Sequence, residues 1–315
     1  MDAVAGLLDG PRARGAFLLR SLLDPPWAFR IEDRAPLTVV AMLRGQACVR
    51  PEHAPPVRAA AGDIVVFRGP DSYVMADQPD RAPQAAIGPD QVCRPLHDSG
   101  RALVDSLGFG VRTWGNSTVG AAAMLTGTYP LHGEVPGRLL RALPPVMHLA
   151  AGPWSAPTIA LLAEEITRDQ PGQEAVLDRL LDLLLISALR AWFARRDANA
   201  PGWYRAAADP IVGHALRLLH HQPDRPWTVA QLARQIGTSR TVLARRFHQL
   251  VGEPPMTFLT GWRITLAADL LLEPDATIAS VAHQVGYSSP FALSTAFKRV
   301  RGISPQVHRR PVETS

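Results

Sequence analysis

Two rhythms of apolar and polar positions divide this chain. Between residues 27 and 128 the apolar residues come in short runs, among them Trp27–Glu32, Leu37–Leu43, Asp63–Phe67, Val111–Trp114 and Ala121–Thr128. Turn formers such as Pro55-Pro56, Gly62-Asp63 and Gly69-Pro70-Asp71 separate them. Short runs with regular Gly and Pro punctuation predict many short strands closed into a sandwich or small barrel. The period then lengthens. Over 173–196, Val176, Leu177, Leu180, Leu181, Leu184, Ala188 and Trp192 recur at spacings of three and four, one apolar stripe of a helix. Residues 155–170 read as a second helix, and everything from Pro210 onward is helical. The chain is therefore predicted to be α+β: a strand-rich domain over 1–150, a helical connector over 151–200, a linker at 201–210 and an all-α domain over 211–310. The connector's stripe serves equally well for packing against the strands or for dimerisation.

The all-α domain repeats itself. Thr228-Val229-Ala230-Gln231-Leu232-Ala233-Arg234-Gln235-Ile236-Gly237 aligns with Thr277-Ile278-Ala279-Ser280-Val281-Ala282-His283-Gln284-Val285-Gly286 at an offset of 49. One insertion later the match resumes at an offset of 50, pairing Leu243 with Leu293, Phe247 with Phe297, Gly252 with Gly302 and Pro255 with Pro305. Each copy has the parts of a helix-turn-helix, one over about 228–249 and the other over about 277–300. A Thr caps the first helix, and Gln231 completes a capping box with Thr228. Gly237 and Gly286 stand where the chain must turn sharply. Ser239 caps the second helix of copy one, and Ser289-Pro290 begins that of copy two. Leu243, Phe247 and Leu250 then face the core. The opposite face of copy one carries Arg240, Thr241, Ala244, Arg245 and His248, and that of copy two carries Phe291, Ser294, Thr295 and Lys298.

Charge agrees with this division. Residues 211–310 hold 12 Arg/Lys against 5 Asp/Glu, a balance of +7, which leaves about −2 for the rest of a chain whose net charge is +5. A basic repeat beside a slightly acidic domain fits a polyanion-binding module joined to something else. Of 33 basic residues only Lys298 is lysine, and arginine forms forked bonds to phosphates and guanine edges that lysine cannot. Two cysteines, Cys48 and Cys93, allow neither a disulfide framework nor a four-thiolate zinc site. The residues from Met1 to Pro11 lack a basic-then-apolar leader pattern, and Asp182 and Arg190 interrupt the most apolar run, so a cytoplasmic protein without a membrane span is expected.

The all-α domain resembles the AraC/XylS family of bacterial regulators. The resemblance rests on Trp262-Arg263-Ile264-Thr265-Leu266-Ala267-Ala268-Asp269-Leu270-Leu271, on Ile278-Ala279-Ser280-Val281-Ala282 and on Val285-Gly286-Tyr287-Ser288-Ser289. It closes with Phe291-Ala292-Leu293-Ser294-Thr295-Ala296-Phe297-Lys298-Arg299-Val300-Arg301-Gly302-Ile303-Ser304-Pro305. It implies that the helix around 256–272 holds both units on one side of double-stranded DNA, reaching successive major grooves about 34 Å apart. Base contacts are carried over to Thr241, Ala244 and Arg245 in copy one and to Ser294 and Thr295 in copy two, with Arg240, His248, Ser289, Phe291 and Lys298 beside them. Many family members carry Arg where this chain has Thr295. Copy one is therefore expected to read the sequence and copy two to add methyl, phosphate and shape contacts.

The strand-rich half resembles the cupin sensor domains of some of these regulators, through Leu43-Arg44-Gly45, Gly62-Asp63-Ile64-Val65-Val66-Phe67 and Leu139-Leu140-Arg141-Ala142-Leu143-Pro144. Metal-binding cupins place two His one residue apart, a Glu and a later His inside the barrel. Here His53 has no such partner, Tyr73 stands where the later His belongs, and His53, His97 and His132 read as surface or loop residues. No metal and no cofactor is expected. The domain reads as a sensor for a small-molecule effector, with Trp27, Phe29, Phe67, Tyr73 and Trp114 as candidates for the pocket or the core. Oxidant sensing through Cys48 and Cys93 is the alternative. A cupin enzyme, or a DNA-repair methyltransferase fused to the same DNA-binding unit, lacks its ligand set here, so a non-enzymatic regulator is expected. Its partners would be DNA, the effector, a second copy, and RNA polymerase if it activates.

Overall fold

The computed structural model describes residues 17–105, 107, 109, 112–129, 137, 139–195 and 202–309. His132, Val111 and the stretch from Met1 to Pro11, where no leader pattern was expected, fall outside them. The described chain forms two compact units, one holding residues 17–129 and 140–195, the other residues 202–309.

The first unit is a pair of facing sheets. One sheet contains β1 (Phe17–Leu23), β3 (Leu37–Arg44), β6 (Ile64–Arg68), β10 (Thr113–Gly115), β11 (Ala122–Tyr129) and β12 (Val146–Leu149), in the order β10-β1-β11-β3-β6-β12. The other contains β2 (Ala28–Ile31), β4 (Gln46–Pro51), β5 (Val57–Ala60), β7 (Tyr73–Ala76), β8 (Ala85–Ile87) and β9 (Cys93–Pro95), in the order β5-β4-β7-β2-β8-β9. The barrel expected from the sequence is thus open: among the described strands no backbone pairing joins the sheets. Their inner faces bury each other without closure, as in a sandwich. Val40, Met42, Val65 and Met124 from one sheet meet Phe29, Val49, Tyr73 and Met75 from the other in one buried cluster. A short helix α1 (Asp98–Asp105) lies against β8 and β9.

The other face of the first sheet is covered by α2 (Ala156–Glu165) and α3 (Gln173–Phe193). This explains why six consecutive residues of β3 are buried: alternate side chains enter the sandwich and the helix layer. Within α3, Leu177, Leu181, Leu184, Leu185, Ala188, Leu189 and Phe193 are buried. The Tyr129 hydroxyl donates to the Leu181 carbonyl at 2.8 Å. Most of the predicted stripe is thereby used in packing, while Val176 and Leu183 remain exposed.

Asp63 closes the end of the sandwich. Its carboxylate accepts from the Ala60 N–H at 3.0 Å, the Ala151 N–H at 2.8 Å and His148 Nε2 at 2.9 Å, tying the β5–β6 turn to the chain after β12. Burial alone would raise its pKa. The two N–H groups and His148 outweigh burial and hold it below the usual carboxylate value. A depressed folded value stabilises above the unfolded value near 4 and is lost as pH falls through the folded one. Asp63→Asn should therefore lower stability by roughly 1–2 kcal/mol at pH 7. Denaturant titrations should show the gap from wild type narrowing towards pH 3.

The second unit contains α4 (Gly202–Ala207), α5 (Val212–His221), α6 (Val229–Ile236), α7 (Arg240–Val251), α8 (Pro255–Leu270), α9 (Ile278–Gln284), α10 (Pro290–Arg301) and α11 (Pro305–His308). The stretch expected as a linker differs from that reading. It contains α4, whose Ala206 is fully buried in the cluster built on Leu216, Leu219, Leu232, Leu243 and Phe247. Helix α8 is apolar on more than one side because it serves two cores. Phe258 and Leu259 enter the first cluster, and Ile264, Ala267 and Ala268 enter a second cluster with Val281, Leu293 and Phe297.

Candidate nucleic-acid interface and interior cavity

Local sequence places both recognition helices. Thr228 accepts from the Gln231 N–H while Gln231 returns the bond to the Thr228 N–H. Thr277 and Ser280 form the same reciprocal box in copy two. Ser works in place of Gln at that position because its hydroxyl can accept the same N–H, a substitution the simple motif overlooks. Ser239 and Ser289 then cap α7 and α10, accepting from the Val242 and Ala292 N–H groups at 3.2 Å.

On α7, Leu243 and Phe247 are fully buried, which turns Arg240, Thr241, Arg245 and His248 to solvent with Ala244 half-buried between them. Among the described residues neither Arg240 nor Arg245 is paired with a carboxylate. Arg246 behaves differently. Its guanidinium holds Asp209 at 2.6 Å, and the same carboxylate accepts the Ile211 and Val212 N–H groups at the start of α5. Burial of Asp209 is outweighed by these bonds, and its pKa is lowered. One of three arginines on α7 thus anchors the helix, and two are left for a ligand.

On α10, Leu293 and Phe297 are buried, while Thr295 and Lys298 are exposed, Ser289 and Ser294 are half-buried, and Phe291 is 81% exposed.

Arg263, on α8, belongs to the motif that carries the family resemblance. It donates from Nε to the Pro223 carbonyl at 2.6 Å and from Nη2 to the Arg225 carbonyl at 2.8 Å, and its guanidinium lies 5.6 Å from the Tyr287 ring centre. It therefore joins the loop before α6, the connecting helix and the turn of copy two.

The first unit holds a partly open cavity of about 140 Å³ between its sheets. Leu19, Ser21 and Leu23 of β1, Trp114 of β10 and Met124, Thr126 and Thr128 of β11 form one wall. Trp27, Phe29, Ile31, Tyr73, Met75, Ile87 and Cys93 form the other, with Asp33 and Gln91. Four of the five aromatic residues singled out from sequence line it. Phe67 does not: it stacks on Tyr73 with ring centres 3.9 Å apart. The polar lining residues Ser21, Asp33, Gln91, Thr126 and Thr128 cannot be singled out from sequence, because strand alternation says which residues share a face but not which face borders a cavity.

Burial pushes the Cys93 thiol up to about 11, and Cys48 is buried in β4. Oxidant sensing needs the opposite, an exposed and acidic thiolate. Among the described residues no group of three or more His, Cys, Asp and Glu side chains stands together, and His53 and His97 are exposed. The cavity lining, with one carboxylate, one raised thiol and no imidazole among the described residues, does not fit a cupin metal.

The family model for the cupin domain matches residues 2–194, and that for a helix-turn-helix domain matches residues 232–311. A protein of Streptomyces lividans described as an AraC-like transcription regulator is 33% identical over 98% of both chains. The chain belongs to the AraC-like transcription regulators. The HTH-type transcriptional regulator AlkR of Acinetobacter baylyi is 29% identical over 98% of this chain and 99% of its own. Among solved structures, the DNA-binding domain of AdpA in complex with a target DNA is 33% identical, covering 32% of this chain and 91% of that one with a TM-score of 0.30. These relatives are regulators, and the paired helix-turn-helix unit is a DNA-binding one. Among the described residues no helix is long and apolar enough to cross a membrane.

Proposed function

We propose that this regulator reads its DNA sequence mainly through α7, uses α10 as a clamp, and takes its signal from a small molecule held between the sheets, without catalysis. The observation that carries the reading is the contrast between the two helices. α7 presents Arg240 and Arg245, exposed and without carboxylate partners among the described residues, whereas α10 presents Phe291, Ser294 and Thr295. A forked Arg–guanine contact contributes roughly 1–3 kcal/mol of discrimination against a wrong base, and none of those three side chains can form one. Phe291 and Thr295 suit thymine methyl groups and sugar edges, and Lys298 suits a phosphate.

Selection of binding sites from random DNA tests this. Arg245→Ala should flatten the preference at one or two base pairs and leave the rest of the site unchanged. An equal loss on every sequence would instead mark Arg245 as a phosphate contact. Contact with RNA polymerase would accompany an activating role.

A further inference from the structure

We propose that the cavity between the sheets selects a small organic cation, a protonated amine carrying one aromatic or short alkyl group, over neutral or anionic molecules of the same size. This rests on the reading of the cavity as the effector site and adds the chemical class of its occupant.

Size comes first. At about 140 Å³, the cavity is close to engineered apolar cavities of about 150 Å³ that bind benzene. A single ring with one short substituent fills such a space.

Charge decides the class. Among the described lining residues Asp33 is the charged one, and no Lys, Arg or His joins it. One Asp33 oxygen accepts the Ala35 N–H at 3.1 Å, and no cation among the described residues pairs with the carboxylate. Arg20 is the nearest basic residue along β1. It alternates with Leu19 and Ser21, which line the cavity, so it projects from the opposite face of the strand. An anionic ligand would therefore meet a like charge, with no cation among the described lining residues to neutralise either. A protonated amine meets its counter-ion.

The walls favour the same class. Trp27 and Phe29 have ring centres 6.2 Å apart, and Phe29 and Trp114 are 4.9 Å apart. Tyr73 completes a lining of four aromatic residues. Ring faces carry partial negative charge and attract organic cations, and several rings around one carboxylate form the usual cage for an ammonium group. Burial, with Asp33 nearby, holds the Tyr73 phenol well above its ordinary range, so it adds a neutral ring. The Trp27 Nε1–H is buried without an acceptor among the described residues. A ligand ring face or hydroxyl would accept it.

Benzylamine, benzyl alcohol and benzoate share a shape and differ in charge. Calorimetric titration of the full-length protein at pH 7 with each should rank benzylamine at least tenfold tighter than benzyl alcohol, with benzoate weakest. Asp33→Asn keeps an acceptor for the Ala35 N–H. It should abolish the preference for benzylamine while leaving benzyl alcohol binding intact, which also reports that the variant is folded. Thr126→Trp, which fills the cavity, should remove all binding. Benzoate binding as tightly as benzylamine, or an unchanged preference in Asp33→Asn, overturns the cation inference and leaves the cavity as a site for another class. Binding that survives Thr126→Trp, or no binding by any of the three, overturns the effector-site reading and this inference with it.

Discussion

Replacing Gly286 by alanine should abolish two-site DNA binding and cost about 3 kcal/mol or more of stability, whereas the same change at Gly237 should cost about 1 kcal/mol. The two glycines occupy matching turns, with φ of +82° and +78°. Both substitutions therefore carry the penalty of a side chain in the left-handed region. They differ in what a Cβ would meet. At Gly237 nothing lies within 4 Å. At Gly286 the carbonyl oxygen and Cα of Asp224 would stand 2.5 and 2.6 Å away, with Arg263 Nη2 at 2.8 Å. The main chain of Asp224 cannot rotate aside as a side chain would, so the turn of copy two must retreat from the loop that precedes copy one. Denaturant midpoints of the two variants, measured with binding to a full operator, check this. Equal losses in both would mean that backbone conformation alone matters and that the close approach does not.

Removing Arg263 should have the second large effect. Each charge-assisted bond to the Pro223 and Arg225 carbonyls contributes about 1.5 kcal/mol or more, somewhat reduced by partial exposure, so Arg263→Ala should lose about 2–3 kcal/mol. The functional consequence is geometric. With the contact to Tyr287 also gone, the two recognition helices are no longer held at a set separation. Affinity for a site spanning both grooves should fall at least tenfold, while affinity for a half-site read by α7 alone should change little. Arg263→Lys keeps the charge but not the fork and should restore only part of the loss. Equal losses on full and half sites would show that Arg263 stabilises the first helix-turn-helix copy without setting the spacing.

The two halves of the molecule differ in how much of them could be read in advance. In the helical half the determinants are local. The Thr228–Gln231 box, the caps Ser239 and Ser289, the left-handed Gly237 and the spacing of Leu243 and Phe247 each act within a few residues, and duplication states them twice. The outward faces of α7 and α10 follow directly. Arg246 shows the limit: it lies off the outward face of Arg240, Thr241, Arg245 and His248, and only the position of Asp209, 37 residues earlier, makes it an anchor.

In the strand-rich half, strands were legible but their partners were not. β1 pairs in parallel with β10 and antiparallel with β11, with Arg20 opposite both Thr113 and Leu125. β3 and β4 are separated by Gly45 yet lie in different sheets. Pairing over such separations depends on the whole set of competing strands, which no local pattern encodes.

By itself the sequence determined the strand-rich and helical parts, the duplicated helix-turn-helix, its basic character and the inequality of its two outward faces, because these follow from periodicity, caps and side-chain chemistry. Tertiary structure alone decided that the sheets stay open, that the connecting helices belong to the sandwich, and that Arg263 ties the two helix-turn-helix copies together. It also brought Asp33 into one cavity with the aromatic residues. Each of these is a meeting of residues far apart along the chain, settled by packing and backbone pairing over the whole fold.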